Sequence, residues 1–168
     1  MNMFFRFFEQ EKPDLIRVAF DLKAPTHRHK LYEGYKANRK GMPFELASQL
    51  QPLKDLLKGL GYTIVTCEGY EADDILGTLS KACTDNKNEC ILATGDRDNL
   101  QLINDYVNVR LAKNMNQTTL YNADTVMQDY GVTPKQLIEI KAIQGDSSDN
   151  IPGVPGIGEK GATDLIQR

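Results

Sequence analysis

Four groups of carboxylates stand at wide intervals along this 168-residue chain. Asp21 closes the run Val18-Ala19-Phe20, and Glu71, Asp73 and Asp74 follow Gly69-Tyr70. Asp96 and Asp98 follow Thr94-Gly95, and Asp146 and Asp149 lie in a Gly-Asp-Ser-Ser-Asp run. Gathering like charges in a fold is costly unless hard cations neutralise them. Carboxylate oxygens suit magnesium or manganese. Two such clusters suggest two metals, one activating water and the other stabilising the leaving oxygen of a phosphodiester. Singly, each group has a plainer explanation. Acids at 71–74 complement a helix dipole, Asp96 and Asp98 flank a turn, Asp146 and Asp149 suit turn and cap positions, and Asp21 is merely a strand-end acid. Their joint occurrence favours a site.

Cations accompany the acids. Between Lys23 and Arg39 the chain carries Arg28, Lys36 and Arg39, with Tyr32 and Tyr35 interleaved. That pattern suits a nucleic-acid strand, cations on phosphates and rings on bases, although a solvated basic helix is the plainer reading. Near the end, Gly153-Val154-Pro155-Gly156-Ile157-Gly158 precedes a helix whose exposed N–H groups would favour phosphate. Lys160 in its first turn opposes the helix dipole and is better explained by an external anion. A helix rather than a strand precedes this run, so it is not a dinucleotide-binding fingerprint.

The elements that must hold these groups follow from periodicity. Met3, Phe4, Phe7 and Phe8 mark an amphipathic helix over 2–11 with a core-facing stripe. Residues 15–20, 62–67 and 89–94 read as buried strands, each delivering one acidic group. Helices are expected from Met42-Pro43 to Leu60, with Pro52 kinking it or removing one bond, and from about Ala72 to Cys83. A short helix should cover 98–103. Residues 106–111 and 118–121 should pair across the polar Lys-Asn-Met-Asn-Gln segment. Asn122 should cap a helix ended by Gly131, and Thr133-Pro134 should start another reaching Ile143. The pattern is α/β with a helical tail, and in open parallel sheets ligands bind beyond the carboxyl ends of the strands.

Bulk properties narrow the partner. With 40% hydrophobic and 26% charged residues, the chain can build one ordinary core. Setting the eight site acids aside leaves 15 others against 20 Lys and Arg, a surface that suits a polyanion. Three cysteines without a CxxC pair read as thiols of a reducing compartment, and two histidines are too few for a zinc site. No stretch approaches transmembrane length and the opening residues lack a signal-peptide pattern, so a cytoplasmic protein is expected.

The segments VAFD, YKANR, GYEADD, TGDRD and KAIQGDSSDNIPGVPGIGEKGA, in this order and spacing, closely resemble the 5′-nuclease domain of bacterial DNA polymerase I, among the flap endonucleases. The resemblance covers essentially the whole chain. It implies an α/β fold with a mostly parallel central sheet (PIN-like), over 1–130, and a helix-hairpin-helix element over 131–168. A helical arch is implied at about 23–45.

By the same resemblance, Asp21, Glu71, Asp73 and Asp74 would hold a first divalent ion, Mg²⁺ or Mn²⁺, and Asp96, Asp98, Asp146 and Asp149 a second. Lys36 and Arg39 would contact the scissile phosphate, and Arg28 and Tyr35 the same strand. Gly153, Gly156, Gly158 and Lys160 would grip duplex DNA, with a monovalent cation at their turn. The implied activity is a 5′-3′ exonuclease and structure-specific flap endonuclease acting on 5′ flaps and nicked or branched duplex. No membrane or oligomer is implied, and the setting is nucleoid-associated.

Members of the family begin with a strand carrying a further metal-binding Asp and continue past the hairpin. The expectation is therefore a piece truncated at both ends, lacking one first-site carboxylate. A non-catalytic DNA-binding fragment is the alternative.

Overall fold

The computed structural model describes residues 2–114 and 117–168. It opens with α1 (Asn2–Glu11), β1 (Arg17–Ala19) and the short α2 (His27–Leu31), then α3 (Phe44–Gly59) and β2 (Thr63–Val65). Next come α4 (Ala72–Asp85), β3 (Cys90–Thr94), a 3₁₀ helix (Arg97–Leu102) and the hairpin strands β4 (Val107–Asn114) and β5 (Gln117–Tyr121). The tail holds α5 (Ala123–Tyr130), α6 (Gln136–Gln144), β6 (Gly145–Asp146), β7 (Ile151–Pro152) and α7 (Glu159–Ile166).

The expected α/β class holds. β1 runs parallel to β2 with Val18 opposite Ile64, and β3 runs parallel to β4 with Leu92 opposite Val109. β5 returns antiparallel on β4, with a register shift between Ala112 and Asn114. Met115 and Asn116 of the polar turn lie outside the described residues, as does the side chain of Met3. α4 packs on both β1 and β3, so one helix lies over both parallel pairs. Every strand of those pairs except β4 therefore sends its carboxyl end into a loop beside the start of α4 or the 3₁₀ helix.

The core forms where period-two alternation is strongest. Val107, Val109 and Leu111 of β4 are buried, and they pack with Leu92, Leu100, Ile103, Tyr121 and Val126. A smaller core of Val132, Ile140 and Ala162 joins α6 to α7. On α1 the inward face is Phe4, Phe7 and Glu11, not Phe8, which is exposed. The helical spacing of 4, 7 and 11 brings Glu11 into an ion pair with Arg110 of β4. That pair fixes the rotation of α1 and turns Phe8 outward.

Local chemistry sets several boundaries. Pro52 sits within an unbroken α3, so it removes a hydrogen bond without ending the helix. Asn122 Oδ1 accepts the Thr125 N–H at 2.9 Å, and Gly131 closes α5 at φ +70°. α6 begins at Gln136 rather than at Thr133-Pro134. Residues 133–136 form a tighter turn in which the Gln136 N–H reaches the Thr133 carbonyl at 3.1 Å, while Gln136 Oε1 accepts the Thr133 N–H at 2.9 Å. The segment expected as a helical arch holds α2 and, at its end, the first residues of α3. Beyond α2 the chain turns, with Lys36 at φ +57°, a conformation that breaks a helix.

Candidate active site

The first turn of α4 carries three acids with three different surroundings. Glu71 is the residue before the helix, and its buried carboxylate accepts the Tyr35 hydroxyl at 2.8 Å and the Lys36 ammonium at 2.9 Å. Asp74 Oδ2 accepts the Glu71 N–H at 2.9 Å, a cap of the first turn. The same carboxylate takes both guanidinium nitrogens of Arg28 at 2.7 Å, a bidentate pair. Asp73 turns the other way, toward Asn99, whose buried side-chain amide donates to it at 2.9 Å. Capping and charge display thus share one helical turn.

Asp21 reaches this point from the end of β1, where its Oδ1 accepts the Ala72 N–H at 2.7 Å. Asp96 arrives from the end of β3 and accepts the Asp98 N–H at 2.9 Å. Burial pushes the Asp73 carboxyl above its ordinary value, and the charges of Asp96, Asp21 and Glu71 push it further against the Asn99 hydrogen bond. Among the described residues, no cation pairs with Asp21, Asp73 or Asp96.

The remaining acids are paired. Lys141 of α6 bridges Asp98 Oδ1 at 3.0 Å and Asp146 Oδ2 at 3.1 Å. Burial opposes ionisation of Asp146, and hydrogen bonds from Ser148 and Lys141 overcome it, holding the carboxyl at about 2. Asp98 moves the opposite way. Burial raises it, with Asp96 and Asp146 adding to the rise and Lys141 opposing it. Arg39 pairs with Asp149. Asp96, Asp98, Asp146, Asp149, Lys141 and Arg39 line one open cleft of about 510 Å³.

The loop at 146–150 is also the dock for the basic segment. The Lys36 N–H donates to the Asp149 carbonyl at 2.9 Å, the Asn38 amide to the Ser147 carbonyl at 2.8 Å, and the Asn150 amide to the Gly34 carbonyl at 2.8 Å. Tyr35, expected to meet a base, is instead 5% exposed. Burial and its bond to Glu71 raise its hydroxyl pKa, so it is a support for the acid wall. Arg28 is likewise turned inward, onto Asp74. The cause is common to both: a partly buried carboxylate demands donors, and this segment supplies them.

At the tail turn, Gly153 is half-buried and its role is structural. A Cβ there would lie 2.2 Å from the Gln144 carbonyl, and one at Gly145 would lie 2.3 Å from the Gly153 N, so two chain segments touch backbone to backbone. Gly156 adopts φ +81°, and Gly156, Gly158 and Lys160 face solvent. The first N–H groups of α7, an eight-residue helix, have no acceptor within the helix.

Sequence reasoning missed Lys141, Asn99, Ser148 and Asn38. Asn99 adjoins Asp98 and could have been found by asking what buries beside an acid. Lys141 precedes Asp146 by five residues, a spacing with no helical meaning once Gly145 turns the chain. Among the described residues, no three Asp, Glu, His or Cys side chains stand together as a ready metal cage. The donor set nonetheless fits a hard divalent ion. It consists of carboxylate oxygens, and an ammonium already bridges two of them. No helix among the described residues is long and apolar enough to cross a membrane.

The family profile of the 5′-3′ exonuclease N-terminal resolvase-like domain matches residues 1–131, and that of the 5′-3′ exonuclease C-terminal SAM fold matches 132–168. The chain is 42% identical over 170 residues to DNA polymerase I of Caldicellulosiruptor bescii and 40% identical over 164 to that of Bacillus subtilis. It spans 99% and 97% of itself but only 20% and 19% of those proteins. Its fold superposes on the bacteriophage T5 D15 protein co-crystallised with metal ions at TM-score 0.81 and 25% identity, covering 98% of this chain and 65% of that one. The T5 D15 flap endonuclease in a pseudo-enzyme-product complex with DNA and metal ions matches at TM-score 0.78 and 25% identity, over 96% of this chain and 62% of that one. By these matches over its whole length, the chain belongs to the 5′-3′ exonuclease family.

Proposed function

We propose that this chain carries out metal-dependent 5′-3′ exonucleolytic and structure-specific flap hydrolysis of DNA, alone or as part of a longer polymerase. The observation that carries the reading is the gathering of acids from four separate segments on one wall, with the basic segment 28–39 folded against it. The metal ions and DNA of the T5 relatives point the same way.

Asp21, Asp73 and Asp96 would hold a first Mg²⁺ or Mn²⁺ and Asp98, Asp146 and Asp149 a second. This moves Asp96 from the expected second set, because its charge acts on Asp73, and leaves Glu71 and Asp74 flanking the first, because Lys36 and Arg28 already occupy them. The chemistry supplied on binding is activation of water and neutralisation of phosphate charge. The protein's own groups position the strand. Lys36 and Arg39, on leaving Glu71 and Asp149, present two cations to a phosphate. Asn99 fixes the rotamer of Asp73, and Arg28 holds the first turn of α4 through Asp74. Gly156, Gly158 and Lys160 meet the duplex backbone, and a monovalent cation at the Gly153–Gly158 turn completes that contact. A cytoplasmic setting is the one that suits a relative of bacterial DNA polymerase I.

A 5′-flap oligonucleotide with Mg²⁺ tests the reading: wild-type protein releases the flap, and Asp73→Asn binds it without release. The arrangement of Arg28, Lys36, Arg39 and Lys141 on the acids also favours a second reading, a DNA-binding fragment that does not cleave. Salt-sensitive binding to branched duplex with no release in Mg²⁺ or Mn²⁺ would establish that one.

A further inference from the structure

We infer that Lys141 is a displaceable counter-ion of the second cation position and makes that position fill after the first. The inference rests on the proposed metal-dependent reading. α6 runs unbroken from Gln136 to Gln144, so the Lys141 side chain starts from a fixed point. Gly145, at φ +74°, reverses the chain, and its backbone contact with Gly153 leaves no room for any other path. Asp146 therefore returns to the face of α6 that carries Lys141. Asp98 is brought there from the 3₁₀ helix, which packs on α6. The ammonium then sits 3.0 and 3.1 Å from carboxylates of two different elements.

Two features make this ammonium a temporary occupant. Its side chain and that of Asp98 are 39% and 38% exposed against 18% for Asp146, so water reaches the ammonium from the Asp98 side. An ion pair open to water on one side, as Lys141 is toward Asp98, is held only weakly. A divalent ion on the same oxygens brings twice the charge, and it cannot share their inner side with an ammonium. Lys141 must swing out before Asp98 and Asp146 can close on a metal. Asp21, Asp73 and Asp96 face no such competitor, so they fill first. Nothing in the substrate is needed for this order, which is a property of the protein and the ion alone.

The test is Mn²⁺ binding to the whole chain without DNA, read from the electron paramagnetic resonance of free Mn²⁺. Wild type should show a tight and a weak class. Lys141→Met should tighten the weak class at least ten-fold and leave the tight class within two-fold, whereas Lys141→Arg, which keeps a cation, should stay weak. Lys141→Gln carries the same prediction if the Met variant does not fold. A weak class unchanged or weakened by loss of the ammonium overturns the inference while the metal-dependent reading stands. No Mn²⁺ binding by any of the proteins overturns both. Damage to the fold cannot imitate the expected result, because it does not raise affinity.

Discussion

Two halves of the same acid wall are built on opposite principles. Asp21, Asp73 and Asp96 are held by neutral donors, namely the Ala72 N–H, the Asn99 amide and the Asp98 N–H, and their charges repel. Glu71, Asp74, Asp98, Asp146 and Asp149 each have a lysine or arginine within reach. The first half is poised to accept charge from outside. The second is neutralised from within and must release something before it can bind. A site of eight like charges is compatible with folding because most of it supplies its own counter-ions.

The sharpest way to break this comparison is to neutralise one member of the unpaired half. Asp73→Asn should lower flap cleavage at least about 100-fold, by removing the carboxylate that faces both Asp21 and Asp96. The same change should leave the metal-free protein as stable or slightly more so, by up to about 1 kcal/mol, since a carboxyl with a raised pKa is favoured neutral. Calorimetric melting in a chelator checks this; a marked loss of stability would show that Asp73 is structural.

In the paired half the effect on folding should reverse. Lys36→Met leaves Glu71 buried with only the Tyr35 hydroxyl close by and Arg28 at 3.7 Å, and should cost about 1–3 kcal/mol. In a chain of this length that lowers Tm by roughly 2–4 °C per kcal/mol. Cleavage should fall as well, through loss of a phosphate-facing cation. Arg28→Met should cost somewhat less, about 1–2 kcal/mol, because Asp74 keeps its cap bond to the Glu71 N–H. A Tm unchanged in both variants would dissolve the distinction between the two halves.

The acids themselves were legible in the sequence, because a strand end followed by an acid is a local pattern. Their counter-ions were not. Arg28 reaches Asp74 across 46 residues, Lys36 reaches Glu71 across 35, and Arg39 reaches Asp149 across 110. No periodicity links such positions. The composition of the basic segment suits a nucleic-acid strand or a solvated basic helix, whereas in the fold Tyr35, Arg28 and Arg39 serve the acids. Both ends of α5, the side-chain cap at Asn122 and the left-handed glycine at Gly131, could be read directly. The start of α6 could not, because Thr133-Pro134 fits equally a helix start and the tight turn that precedes it.

The smallest expected effect is on pH. The Asp146 carboxyl lies at about 2 in the folded chain against an ordinary 3.8, so its contribution is present above about pH 4 and lost as the pH falls through 2. Allowing for solvent around the loop, Asp146→Asn should cost about 1 kcal/mol at neutral pH in a chelator, and the difference should vanish toward pH 2. Urea melts of both proteins at pH 7 and pH 3 would show whether the gap narrows.

The most direct measurement is cleavage of a labelled 5′-flap duplex by the chain itself, with Mg²⁺ and with chelator, beside Asp73→Asn. The account predicts release of the flap by wild type in Mg²⁺ only, and none by the variant although it binds the same DNA. Flap DNA bound in a salt-sensitive way yet left intact by wild type at every Mg²⁺ and Mn²⁺ concentration would contradict it.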